Sequence, residues 1–236
     1  MIELHVLGGA PASGNPGEAC SGYLVTAGST RILVDCGPGV VASLLARDPR
    51  PVDAVVLTHA HHDHVGDLFA LGYAHRFGAL AAHDAPTVYS PVALASLFTA
   101  GGADADHLEV QIVSGPLTIG DASVSFRAMV HPGGSNAVRI DHRGSGLCCS
   151  GDTRPTPALA EHARGIDLLL CEATMEAASE SHLYAAEAGR IAHEARARAL
   201  VLTHHLASER GAVIAAAREQ FGGSVAAAVP GLRVAL

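Results

Sequence analysis

Ala54-Val55-Val56-Leu57-Thr58-His59-Ala60-His61-His62-Asp63-His64-Val65-Gly66-Asp67 is the stretch that decides how this chain reads. Its first four residues are wholly apolar and predict a short buried strand, and the ten that follow hold four histidines and two aspartates. Where the chain leaves such a strand in extended form, His59 and His61 project to one side by the two-residue period, so both reach one metal ion. Asp63 and His64, at a helix start just beyond, reach a second. A lone His-x-His carries little information, and a solvated histidine-rich turn is its bland reading. His-x-His-x-Asp-His directly after a buried strand is far more specific.

Outward from this stretch, strands are expected at Ile2 to Leu7, Gly22 to Thr26 and Arg31 to Asp35, the last two joined by the Gly28-Ser29 turn, with a helix over Gly39 to Arg47. After the histidines, Leu68 to Phe77 reads as a helix, so the chemistry sits on a strand-to-helix loop. A second half continues in the same style, with strands near Val110 to Val113, Ser123 to Val130, Val138 to Asp141, Gly146 to Ser150, Asp167 to Cys171 and Ala199 to Thr203. Helical spacing appears over Ala185 to Ala197 and Gly211 to Phe221. Sheets covered by helices, an α/β layered architecture, follow from this order. Gly8 to Gly17 and His131 to Ser135 are too short for interdomain linkers and read as active-site loops, so residues 1–236 are expected to form one domain.

Composition narrows the function. The 236 residues are 49% hydrophobic and 16% charged, as in globular proteins rather than disordered ones. The net charge is -8 and all 15 basic residues are Arg, which disfavours a nucleic-acid polymer as partner and removes lysine Schiff-base chemistry. Five cysteines without paired spacing read as core thiols of a reducing compartment. With no signal-like start and no apolar run of roughly 20 residues, the expected location is the cytoplasm, away from membranes.

The histidine stretch resembles the metallo-β-lactamase superfamily, and further motifs line up with that family from about residue 5 to 205. The resemblance implies a four-layer αββα sandwich. Ile32-Leu33-Val34-Asp35-Cys36-Gly37 matches the segment whose Asp supports the metal loop from behind, His131 the third motif, Ser150-Gly151-Asp152-Thr153 the fourth, and Leu202-Thr203-His204 the fifth. The implied metal ligands are His59, His61, Asp63, His64, His131, Asp152 and His204, with Asp152 bridging two divalent ions and a hydroxide between them as nucleophile. His204 rather than His205 fits the pattern, and His62 falls at a variable position. Asp67 reads as a plain helix N-terminal acid, and Glu172 either as an orienter of site residues or as a satisfied buried carboxylate. Imidazole and carboxylate donors without a thiolate suit Zn, with Mn or Fe as alternatives.

Within the superfamily the chain is similar to ribonuclease Z and its small phosphodiesterase relatives through Ser150 to Pro155, Cys171-Glu172-Ala173-Thr174 and the His182 segment. Redox members carry Glu where His61 stands, so hydrolysis is implied. The resemblance makes Asp63, Asp152 and His182 the catalytic residues, with His182 near the scissile phosphate. The leading expectation is hydrolysis of a small phosphodiester such as a cyclic nucleotide, for which Arg154 offers a planar fork. Hydrolysis of a carboxylic ester, lactone or thioester is the alternative. Transfer-RNA 3′ processing ranks lower, because His131 and Asp152 are too close in sequence for the family's substrate-gripping arm. A homodimer is compatible with the Ala-rich helices.

Overall fold

The apolar runs pair into two seven-stranded sheets among the described residues of a computed structural model, which are 1–92, 107–177 and 179–236. The first sheet holds β1 (Ile2–Gly8), β2 (Gly22–Ala27), β3 (Thr30–Val34), β4 (Ala54–Val56), β5 (Thr87–Ser90) and β6 (Val110–Ile112), in that order, with β14 (Arg233–Ala235) outside β1. The second holds β7 (Leu117–Ile119), β8 (Ala122–Met129), β9 (Ser135–His142), β10 (Ser145–Cys149), β11 (Leu168–Glu172), β12 (Ala199–Thr203) and β13 (Ser224–Ala227), also in chain order.

Alternation along the strands gives each sheet two apolar faces. Leu4, Val25, Ile32 and Val56 of the first sheet meet Val124, Ile140, Leu147 and Leu170 of the second in a dry inter-sheet core. The outer face of the first sheet, through Leu24, Leu33 and Val55, is covered by α1 (Val40–Arg47) and α3 (Leu68–Phe77). That of the second, through Cys148, Leu169 and Leu200, is covered by α4 (Pro157–His162), α5 (Ala185–Glu194) and α6 (Arg210–Arg218). The result is the αββα sandwich expected from the sequence.

The strands that matter run in one direction at the centre of each sheet: β3 and β4 are parallel in the first, and β10, β11 and β12 in the second. Their carboxyl ends therefore open on one rim, where loops carry the histidines. A one-turn helix, α2 (His62–Val65), sits inside the histidine stretch, as its placement at a helix start foresaw. Strands β5, β7, β13 and β14 and helix α4 escape the sequence reading, the strands because three or four residues show at most two alternations. Asp67 precedes α3 as expected, yet its carboxylate caps a different helix, accepting the Val41 amide of α1 at 2.9 Å.

The crossover from α1 into β4 aims the chain at the rim, and ion pairs to the buried Asp48 hold it. Arg31 at the start of β3 donates to Asp48 at 3.1 Å and to the carbonyl of Pro51, while Arg50 grips the same carboxylate at 2.7 and 2.8 Å. The Arg50 hydrogen bonds outweigh burial and, with Arg31, hold the Asp48 carboxyl well below its usual range. A depressed carboxyl stabilises the fold above its unfolded pKa of about 3.9, and that contribution disappears as pH falls through the folded value. Asp48→Asn should therefore melt below the wild type at pH 7, with the gap between the two closing in thermal scans taken below about pH 4. A constant gap across that range would show that the carboxylate charge does not contribute.

Candidate metal centre

Asp35, Asp152 and His204 sit just past strand ends, where the backbone is turned sharply. Asp35 follows β3 with φ 59°, His204 follows β12 with φ 61°, and both are left-handed without being glycine, a conformation that persists only when surroundings over-determine it. Gly151, at φ 58°, supplies the same turn ahead of Asp152, where a Cβ would lie 2.6 Å from the Asn136 carbonyl oxygen. Asp35 is fully buried and accepts the Thr58 amide at 2.8 Å, the Thr58 hydroxyl at 2.9 Å and His64 Nδ1 at 2.8 Å.

These turns bring all seven residues expected as ligands together. His59, His61 and His131 offer nitrogens within 4.8 Å of one another, and Asp63, His64, Asp152 and His204 do the same with their donor atoms. Asp152 lies between the two groups. Its Oδ2 is 3.7 Å from His59 Nε2, 3.9 Å from His131 Nε2 and 3.6 Å from His204 Nε2, while Oδ1 is 3.5 Å from His64 Nε2. His61 is exposed and faces His131 with Nδ1 to Nε2 at 3.1 Å. His62 and His205 stand apart, as expected: His62 is exposed, and His205 is buried against the Leu202 and Leu206 carbonyls.

Behind four of the imidazoles stands a partner that fixes ring and tautomer. Because the Thr58 hydroxyl donates to Asp35, its oxygen accepts His59 Nδ1–H at 3.0 Å. The second sheet repeats the device: the Thr174 hydroxyl donates to Glu172 at 2.6 Å and its oxygen accepts His204 Nδ1–H at 2.7 Å. His64 donates to Asp35, and His131 donates to the Ser181 carbonyl at 2.9 Å. With Nδ1–H committed in this way, each ring in its neutral form presents Nε2 as a lone pair. Thr58, Thr174 and Ser181 were missed by the sequence reading. The two threonines could have been suspected from their places next to His59 and after Glu172, but a backbone carbonyl leaves no residue signature.

A divalent cation fits this donor set. His59 Nε2 and His64 Nε2 are buried without any hydrogen-bond partner. Asp35, Asp63, Asp152 and Glu172 are all less than 10% exposed in one neighbourhood and call for positive charge among them. The imidazoles respond unequally. Burial, aided by His64, pushes His59 down to about 2, whereas Asp152 and Asp35 overcome burial to raise His64 well above its ordinary value.

Comparison with known proteins agrees with the geometry. The model of the Beta-lactamase superfamily domain matches residues 30–205. The "Probable metallo-hydrolase YhfI" of Bacillus subtilis is 33% identical over 215 residues, covering 84% of this chain and 83% of its own. Its crystal structure superposes with a TM-score of 0.91 over the whole of both chains at 28% identity. The ribonuclease Z of Myxococcus xanthus is 28% identical in an alignment of 312 positions covering 100% of this chain and 98% of its own, so it carries sequence this chain lacks. A diphosphatase of the PhnP family shares the fold, with a TM-score of 0.80 at 18% identity over 100% of this chain and 98% of that one.

Protons and divalent ions compete for the same imidazole nitrogens, so acid must weaken metal binding. Protein loaded with Zn at neutral pH should lose it on equilibrium dialysis as pH is lowered to about 5. Full retention at that pH would argue against an imidazole-based centre.

Proposed function

The chain belongs to the beta-lactamase superfamily, and on that premise we propose that it is a dinuclear metal-dependent hydrolase, acting as a phosphodiesterase on a small phosphodiester such as a cyclic nucleotide. The observation that carries the proposal is Asp152, whose two oxygens face two candidate ligand groups, each drawn from both sheets. His59, His61 and His131 would hold one ion and Asp63, His64 and His204 the other, with Asp152 shared. Zn suits these donors, and Mn or Fe are the alternatives. When bound, such a pair supplies Lewis acidity and a water acidified to a pKa of about 7, the chemistry a phosphodiester requires. Because its ligands come from both sheets, we take residues 1–236 as one hydrolase domain.

His182 does the protein's own proton work. Its Nδ1 lies 3.1 Å from Glu172 Oε2 and 3.8 Å from Asp152 Oδ2, with the imidazole 20% exposed at the rim. Burial works to lower its pKa, but the Glu172 hydrogen bond and the surrounding carboxylates raise it. These groups favour the protonated ring, which can pass its proton to the departing oxygen of a diester. Glu172 cannot rotate away, since it also accepts the Thr153 amide at 2.6 Å and the Thr174 hydroxyl. Arg154 reaches the same rim and is paired at 2.6 Å with the exposed Glu180, a contact that a phosphoryl oxygen can replace. Asp63 and Asp152, besides holding metal, would accept hydrogen bonds from the attacking water.

Hydrolysis of a carboxylic ester, lactone or thioester is the alternative that the same centre accommodates, and a substrate panel separates the two. On metal-loaded protein, cyclic nucleotides and bis(p-nitrophenyl) phosphate should be cleaved, and a lactone and a cephalosporin should not. His182→Ala should lower diester turnover by roughly 10²-fold while both ions stay bound, as loss of a general acid requires. Asp152→Ala should lose ions and turnover together. Preferential lactone cleavage, or near wild-type diester turnover without His182, would reject this assignment.

Ribonuclease Z-like processing is disfavoured by the net charge of -8 and by the additional sequence the Myxococcus enzyme carries. Precursor transfer RNA should accordingly remain uncut under conditions where a small diester is hydrolysed. Efficient, salt-sensitive 3′ cleavage would reverse the ranking.

A further inference from the structure

We propose that Asn15 is a positioning residue for His204, acting through the backbone of the turn that carries it. The proposal rests on the reading of His204 as a metal ligand. Asn15 lies in the loop between β1 and β2, where Ala12, Ser13, Gly14, Pro16 and Gly17 are all exposed, yet Asn15 itself is only 7% exposed. A buried amide amid small exposed residues needs partners, and it finds them 190 positions away. Its Nδ2 donates to the His205 carbonyl at 3.1 Å and its Oδ1 accepts the Ala207 amide at 2.9 Å.

These two bonds close on the residues that directly follow His204, and others extend the clamp to either side. The His204 amide donates to the Gly9 carbonyl at 2.9 Å. The Asn15 amide also donates to Glu18 at 3.1 Å, and Glu18 is ion-paired to Arg210, the first residue of α6. The turn from β12 to α6 is therefore held at its start, middle and end by one loop. His204 is left-handed and has a side chain, so the turn does not hold that shape on local preference alone. Among these restraints Asn15 is the side chain that bonds the His205 and Ala207 backbone just after His204, and a substitution can remove it. Where the turn relaxes, His204 Nε2 moves off Asp63 Oδ2, which now lies 2.9 Å away, and the ligand group that includes both comes apart.

Cobalt(II) titration of the metal-free full-length protein, followed by visible absorption and calorimetry, tests this. The wild type should take up two equivalents. Asn15→Ala, folded by circular dichroism, should bind one of them roughly tenfold or more weakly with an altered ligand-field spectrum, the usual effect of removing an outer hydrogen-bond partner. Asn15→Asp keeps the acceptor for Ala207 while losing the donor to His205, and should fall between the two. An Asn15→Ala protein that melts lower but titrates and absorbs like the wild type would overturn the proposal, since that is what a merely structural role gives. If Asn15→Ala does not fold, Asn15→Asp decides alone, and its matching the wild type would equally overturn it. A wild type that binds no cobalt would instead overturn the metal reading on which the proposal rests.

Discussion

Asp35 takes hydrogen bonds from the Thr58 amide, the Thr58 hydroxyl and His64 Nδ1, and no part of it touches solvent. Those bonds tie the end of β3 to the exit of β4 and to the one-turn helix beyond it, and so set the path of the histidine loop. Removing the carboxylate would leave a buried amide, a hydroxyl and an imidazole unpaired at once, each at a cost of about 1–3 kcal/mol. The left-handed backbone at Asp35 is the local cost of aiming that carboxylate inward.

The two sheets solve the same problem in the same way. Asp35, Thr58 and His59 form a relay of carboxylate, hydroxyl and imidazole in the first, and Glu172, Thr174 and His204 form its counterpart in the second. In both, the hydroxyl passes the carboxylate's demand for a donor one residue further, so that a single buried acid orders an imidazole it does not bond directly. Glu172 goes on to hold His182 as well. That double attachment couples the His182 ring to the His204 ring through the buried acid that ends β11.

Much of this was legible from residue types and order. The runs at Ile32 to Val34 and Ala54 to Leu57 announced buried strands, and the histidine spacing announced paired ligand groups. His131, Asp152 and His204 became legible only through the resemblance, because a single His or Asp at a strand end is common. What stayed hidden depends on long-range pairing or on the backbone. Asn15 reads as one more turn residue until its partners 190 positions away are seen, and the Ser181 carbonyl that holds His131 has no letter in the sequence. Glu172, left open between two roles, turns out to serve both: it is buried and satisfied, and the satisfaction comes from site residues.

The pairing of β14 with β1 has a consequence beyond fold topology. Without it, β1 would be the outermost strand of its sheet, with a row of bare amides and carbonyls beside apolar Ile2, Leu4 and Val6. Such an edge is a template for other chains. The cover is only three residues, Arg233–Ala235, and it presents Arg233 outward in an ion pair with Glu3. A charged, very short outer strand offers little for a second molecule to extend. The last strand thus serves colloidal stability: it seals the long apolar strand next to it against self-association, whatever reaction takes place at the rim.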